Sequence, residues 1–276
     1  MKFGNLHLHS VYSDGLLTPE ELVKLGKSIG YRALALTDHE NDAGNEEFGR
    51  IAAAEGIDTL PGIEFYGMFE GLNLHLTALD FDASDNELRA LVRERVETHY
   101  EVTKKRVQIG IEKGYIDGVG WEDMERYSRE GAWCCAATMA RAYRGMGIPM
   151  PEELVQKVFK SEEAKAIPIY TPSAERVIKT VRKAGGVIAL AHPNNRTHLI
   201  PSLVELGLNG VEVSHPDLKE NTPELASLMA EKYNLYRCGG TDHRGTMAGR
   251  QDTYPIPNMF GVTEEEFFSI KERRKG

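Results

Sequence analysis

The fold of this chain turns on Asn5-Leu6-His7-Leu8-His9-Ser10, followed by Asp14-Gly15. Lys2 to Leu8 predicts an opening β-strand. Side chains two residues apart on a strand share a face, so His7 and His9 present their imidazoles side by side, with Asp14 on the turn that leaves the strand. Two neutral imidazoles and a carboxylate suit a divalent transition metal. Two unrelated histidines at a polar strand end are the alternative. The metal is favoured because clusters of this kind recur down the chain.

Working outward, Thr18-Pro19-Glu20-Glu21 predicts a helix start, with Thr as N-cap, Pro first in the helix and Glu three residues after the cap. Ala33 to Thr37 is a short apolar run, hence a buried strand, and it ends in Asp38-His39-Glu40. A helix from about Gly44 to Glu55 precedes a third strand, Asp58 to Ile63, which runs into Glu64. Only a short loop containing Gly67 and Gly71 separates Glu64 from a fourth strand, Asn73 to Phe81. No crossover helix fits there, so these two strands are expected to be antiparallel, with His75 beside Glu64.

From Asp85 to Tyr170 there is no strand signal. Asp85 to Tyr115 is long and charge-laced, with Leu88, Leu91, Val92 and Val96 at helical spacing, and Pro151 to Phe159 opens another helix. Residues 85–170 therefore read as a helical cap inserted in a barrel formed by 1–84 and 171–276. The βα pattern resumes with a helix starting at Thr171-Pro172 and ending at Gly185-Gly186. Val187 to Ala191 is a strand ending in His192-Pro193. Gly210 to Val213, containing Glu212, runs into Ser214-His215. Leu235 to Gly240 ends in Thr241-Asp242-His243-Arg244-Gly245. Lys271 to Lys275 reads as a solvated, basic helix end.

Composition narrows the function. A chain of 276 residues is long enough for one large domain with an insertion, and no apolar run is long enough to span a membrane. The N-terminus lacks a signal-peptide pattern, which makes the cytoplasm the expected location. Cys134 and Cys135 are adjacent and Cys238 stands alone, so no disulfide framework is implied. A net charge of −9 argues against the basic surface that long nucleic acid requires, and the expected substrate is small. The oligomeric state is not legible.

The polar residues His7 and His9, Asp38 and His39, Glu64, His192, Glu212 and His215, and Asp242 all fall at C-terminal ends of strands, where α/β barrels build active sites. This points to a multinuclear metal site. His7-x-His9 with Ser13-Asp14-Gly15, then Thr37-Asp38-His39, Glu64, His75, Ala191-His192-Pro193 and Thr241-Asp242, resemble the successive motifs of the PHP (polymerase and histidinol phosphatase) family of metal-dependent phosphoesterases. The resemblance covers nearly the whole chain outside the insertion and points to the stand-alone bacterial members with a helical cap. It implies an α/β fold, a distorted TIM-like (β/α)7 barrel, holding two or three divalent ions (Mn, Fe or Zn).

By the same resemblance His7, His9, Glu64 and Asp242 bind a first ion, Glu64 bridges to a second completed by His75 and His192, and Asp14 and His39 hold a third. Asp38 orients its neighbours or caps a loop. Two departures stand out. The family usually places a histidine two residues after the last aspartate to complete the third site; here that position is Arg244, and His243 is adjacent to Asp242. Neighbours on a strand face opposite sides, so His243 joins the ligands only if the chain turns at once. Arg244 either aims its guanidinium at substrate phosphate or is a surface arginine. In the cap, Ala132-Trp133-Cys134-Cys135-Ala136 stands where relatives tend to carry Arg-Pro-His-Ile-Ala.

Asn195 and Arg196 contact phosphate or cap a loop; His215 hydrogen-bonds a leaving oxygen or simply ends a strand. The implied activity is hydrolysis of a small phosphate ester, a phosphomonoester or a small or cyclic phosphodiester, by a metal-bound hydroxide. Metal-dependent amidohydrolase-type hydrolysis and a non-catalytic metal-binding module are the alternatives.

Overall fold

Short strands buried on both faces need helices around them and a sheet that closes on itself. The computed structural model, which describes residues 1–245 and 259–273, has that form. Among the described residues seven strands are hydrogen-bonded in sequence order: β1 (Gly4–Asn5), β2 (Ala33–Leu36), β3 (Asp58–Phe69), β4 (Leu72–Leu79), β5 (Val187–Leu190), β6 (Gly210–Ser214) and β7 (Tyr236–Gly239). Neighbours are parallel except around β4, which runs antiparallel to both β3 and β5. β1 and β7 bring the barrel nearly to closure through Leu6 N to Gly239 O (3.0 Å), Asp242 N to His7 O (2.9 Å) and His9 N to His243 O (3.0 Å).

Residues alternate between the two sides of the barrel wall. Ala33 and Ala35 of β2 face an interior shared with Leu6, Leu60, Val187 and Ala189, while Leu34 and Leu36 pack outward with Leu22 and Phe48. Those outer partners lie on α1 (Pro19–Ser28) and α2 (Asn45–Ala54). Thr18 caps α1 in the expected capping box with Glu21. The region between β4 and β5 is helical: α3 (Asn86–Glu112), α4 (Trp121–Arg126), α5 (Ala136–Gly145), α6 (Leu154–Phe159) and α7 (Glu162–Lys165). After it come α8 (Ala174–Lys183), a 3₁₀ turn (Asn194–Leu199), α9 (Ile200–Glu205), α10 (Thr222–Tyr233) and α11 (Glu264–Glu272). Phe267 and Ile270 of α11 fill one end of the barrel interior. None of the described helices is long and apolar enough to cross a membrane.

The structure departs from the sequence reading in four places. β1 is only two residues long, because Leu6 and His9 pair with the end of β7 rather than with β2. β3 continues past Glu64 to Phe69, so Gly67 lies within the strand and only Glu70 and Gly71 make the turn. A Cβ on Gly67 would lie 2.9 Å from Ala174 Cα, and this close approach of α8 to the strand is what glycine permits. α8 begins at Ala174 with Ser173 as N-cap, because Pro172 is held in the extended segment by Met68 N donating to its carbonyl (2.8 Å). Finally, Leu88 and Leu91 of α3 belong to the barrel core with Phe81 and Val181, whereas Val107 packs in a separate core with Met124, Met139 and Leu154. One 27-residue helix thus contributes to both cores. Of the basic tail, 274 and 275 lie outside the described residues.

Candidate metal centre

The strand ends converge on Glu64, which is fully buried. Its two oxygens face different partners. Oε2 lies 3.2 Å from His7 Nε2, 3.2 Å from His9 Nε2 and 3.2 Å from His39 Nδ1. Oε1 lies 2.8 Å from His75 Nδ1 and 3.1 Å from His192 Nε2. Asp242 Oδ1 closes the first side, 2.9 Å from His9 Nε2. His7 Nε2, His9 Nε2, His39 Nδ1 and Glu64 Oε2 are buried and make no hydrogen bond. Burying such atoms unsatisfied is costly, and lone pairs converging from imidazole and carboxylate are the donor set of a divalent transition metal. The residues present fit such ions. His7, His9, Glu64 and Asp242 could hold one; Glu64 and His75 could hold another, with His39 or His192 beside them.

Behind the donors sits a layer that fixes them. Glu212 Oε1 is 2.7 Å from His7 Nδ1, and Glu212 Oε2 accepts from His192 N at 2.7 Å. Burial works against the Glu212 carboxylate ionising, but His7 outweighs it and draws its pKa down to about 2. The backbone bond matters because His192 has a φ of 27°, a left-handed conformation that a non-glycine residue adopts at a cost. Asp242 (φ 52°) and Glu40 (φ 60°) share that strain. Glu212→Ala is expected to weaken metal binding by about 10–100-fold, the usual loss when a buttress behind a ligand is removed. Mn2+ titration checks it; unchanged affinity would remove Glu212 from this role.

Asp38 is held by the loop that follows His9. Ser10 N and Ser10 Oγ donate to its two oxygens at 2.7 and 2.6 Å, and Ser13 Oγ donates at 2.5 Å. Its carboxylate clamps the 10–13 loop. The His215 side chain has no exposed surface and lies 3.6 Å from Asp242 Oδ2, packed against His7 and His192. It also lies in a donor group with His7 and Glu212.

His243 is paired through its backbone to Leu8 and does not enter any of the donor groups. Arg244 does reach the site, with Nε 2.8 Å from Asp14 Oδ2 and Nη1 2.6 Å from Asp242 Oδ1. Its Nε and Nη1 are thus paired with carboxylates. Asn195 is exposed and Arg196 half-buried in the 3₁₀ turn that follows His192-Pro193.

Several site residues had no local signal. Arg95 of α3 is wholly buried and pairs with Glu40, with Tyr170 O and with His99 Nε2, tying the insertion to the loop that carries His39. Arg141 Nη1 donates to Ser13 O and Gly15 O at 3.0 and 3.2 Å. Trp133 N donates to Tyr12 O at 2.8 Å, which lays the Trp133-Cys134-Cys135 stretch on the opening motif loop. Tyr66 stacks on His39 at 5.1 Å between ring centres; its place two residues after Glu64 on one strand face was the available clue. Between insertion and barrel lies a cleft of about 480 Å³, lined by His75 together with Tyr66, His99, Thr103, Arg106 and Trp133. Trp133 Nε1 is buried without a hydrogen-bond partner.

The PHP domain family matches residues 5–185 of this chain, about two thirds of its length. The chain belongs to the PHP family. Among its PHP relatives are a phosphoribosyl 1,2-cyclic phosphate 1,2-diphosphodiesterase of Eggerthella lenta, 28% identical over 87% of this chain and 94% of that protein, and a 5'-3' exoribonuclease of Haemophilus influenzae, 30% identical over 86% of this chain and 88% of that protein. The crystal structure of a protein from Bifidobacterium adolescentis, assigned as a metal-dependent phosphoesterase, superposes with a TM-score of 0.82 at 24% identity, covering 98% of this chain and 95% of that one. That likeness shows the shared barrel fold.

Proposed function

We propose that this PHP protein hydrolyses a small phosphate ester with two divalent ions on either side of Glu64. The observation that carries the reading is the split of Glu64, with Oε2 toward His7, His9 and His39 and Oε1 toward His75 and His192. A carboxylate is a natural bridge, since each oxygen can take one cation while its charge offsets their repulsion. Ions bound there supply Lewis-acid polarisation of the ester and activation of a water. Mn, Fe or Zn suits these nitrogen and oxygen donors.

The chain's own groups do the rest. His7 and His192 are held in place by Glu212, and Asp242 by His215 and Arg244. Asp38 keeps the 10–13 loop under His9 and Asp14. Helices α3–α7 act as a cap, excluding bulk water above His75 and leaving the cleft for the organic part of the substrate. Its volume is that of a small-ligand pocket, and Arg106 and Trp133 Nε1 supply donors for polar groups on the ester. Cytoplasmic location fits this class of substrate.

The relatives support both halves of a second reading. One is named for a cyclic phosphodiester and another for exonucleolytic cleavage of RNA, so the end of a short oligonucleotide is a candidate occupant of the same cleft. The test is phosphate or nucleotide release with Mn2+ from a panel of phosphomonoesters, cyclic phosphates, dinucleotides and long single-stranded RNA. Turnover is expected on the small esters and to fall with chain length. Turnover of long RNA equal to that of the best small ester would overturn the small-substrate reading, and ammonia or carboxylate release from amides without phosphate release would overturn the phosphoesterase.

A further inference from the structure

One cluster of metal-type donors already contains a cation. His9, Asp14 and His39 bring ligand atoms within 4.8 Å of one another, as the donors around Glu64 do. Into this group reaches Arg244, whose side chain is only 18% exposed. Its Nε lies 2.8 Å from Asp14 Oδ2, its Nη1 2.6 Å from Asp242 Oδ1 and its Nη2 3.3 Å from His39 Nε2. The backbone holds it there too: Leu16 N donates to Arg244 O at 2.8 Å, so the loop after Asp14 and the end of β7 are fastened together.

A divalent ion ligated by Asp14 and His39 would sit roughly 2.0–2.2 Å from their donor atoms. The guanidinium nitrogens contact those same two residues, so ion and guanidinium compete for one volume and repel each other there. The guanidinium meets the need for positive charge between Asp14 and Asp242, and its planar fork engages both carboxylates. An arginine does not lose its proton in a protein, so this charge is permanent, whereas a bound ion depends on metal supply.

We propose that Arg244 is a built-in cation standing in for the ion that His9, Asp14 and His39 would otherwise take, so that this chain binds ions only on the two sides of Glu64. The inference rests on the reading of Glu64 as a bridge. In it Asp14 becomes a positioning residue for Arg244 rather than a ligand.

The test is metal stoichiometry and location. Full-length protein is stripped with chelator, reloaded with Mn2+, and measured by elemental analysis and by anomalous scattering from crystals. The wild type is expected to hold two equivalents per chain, with no Mn2+ peak between His9, Asp14 and His39. Arg244→Ala removes the competing charge and is expected to hold three, the added ion lying between those residues; Arg244→Lys keeps a positive charge and is expected to stay at two. A Mn2+ peak among the three residues in the wild type, or two equivalents in a folded Arg244→Ala protein, would overturn the inference. If Arg244→Ala does not fold, the wild-type anomalous map decides alone. Fewer than one equivalent in the wild type would overturn the Glu64 reading and this inference together.

Discussion

Glu64→Ala is expected to abolish more than one function at once: most of the hydrolytic activity, and more than one metal equivalent per chain. The reason is geometric. Glu64 is the carboxylate that faces donors on both sides, three imidazole nitrogens at 3.2 Å from Oε2 and two at 2.8 and 3.1 Å from Oε1. Removing it leaves the histidines and Asp242 without the anion that, on the proposed reading, would hold two cations close together. Two-metal sites contribute several kcal/mol of charge stabilisation in the transition state. At about 1.4 kcal/mol per tenfold, the expected loss in kcat/KM is roughly a thousandfold or more. Elemental analysis and steady-state kinetics on the same preparation check both parts. Full metal content in Glu64→Ala would refute the bridge even if activity fell.

The second large effect separates His192, which the sequence already favours as a ligand, from His243, which joins the ligands only if the chain turns at once. His192→Ala should be the damaging change, and His243→Ala the mild one. His192 Nε2 points at Glu64 Oε1, and its left-handed backbone is braced by Glu212, an expense that a merely packed histidine does not call for. His243 is buried, but its ring stands outside the donor groups. His192→Ala is expected to lose about one metal equivalent and two or more orders of magnitude in kcat/KM, the several kcal/mol that one ion supplies. His243→Ala should keep its metal and show mainly a stability loss from the space left behind. If instead His243→Ala alone loses metal and activity, the assignment of the second ion is wrong.

Much of this protein was legible in its sequence because local rules and local chemistry agreed. The Thr18 capping box, the apolar runs of β2 and β5 and the absence of room for a helix between Glu64 and His75 specified helices, buried strands and the one antiparallel strand. Period-two spacing put His7 and His9 on one face. Several donors stood just past strand ends, which barrels expose on one face, and the order of the motifs carried the resemblance to the PHP family.

What remained was decided by distance in space rather than in sequence. A strand signal at Lys2–Leu8 could not tell that barrel closure would claim Leu6 and His9 for pairing with the end of β7. The helical spacing of Leu88 and Leu91 could not tell that the first turns of α3 serve the barrel while its later turns serve another core. Nor could any pattern reveal that Arg95 would be buried against Glu40, since a buried arginine depends on a partner 55 residues away. Arg244 shows the difference most plainly. Sequence gave an arginine where a ligand was due and offered substrate or solvent as its destination. Only the fold, by carrying β7 next to β1, set its guanidinium between Asp14 and Asp242, where buried opposite charges need one another.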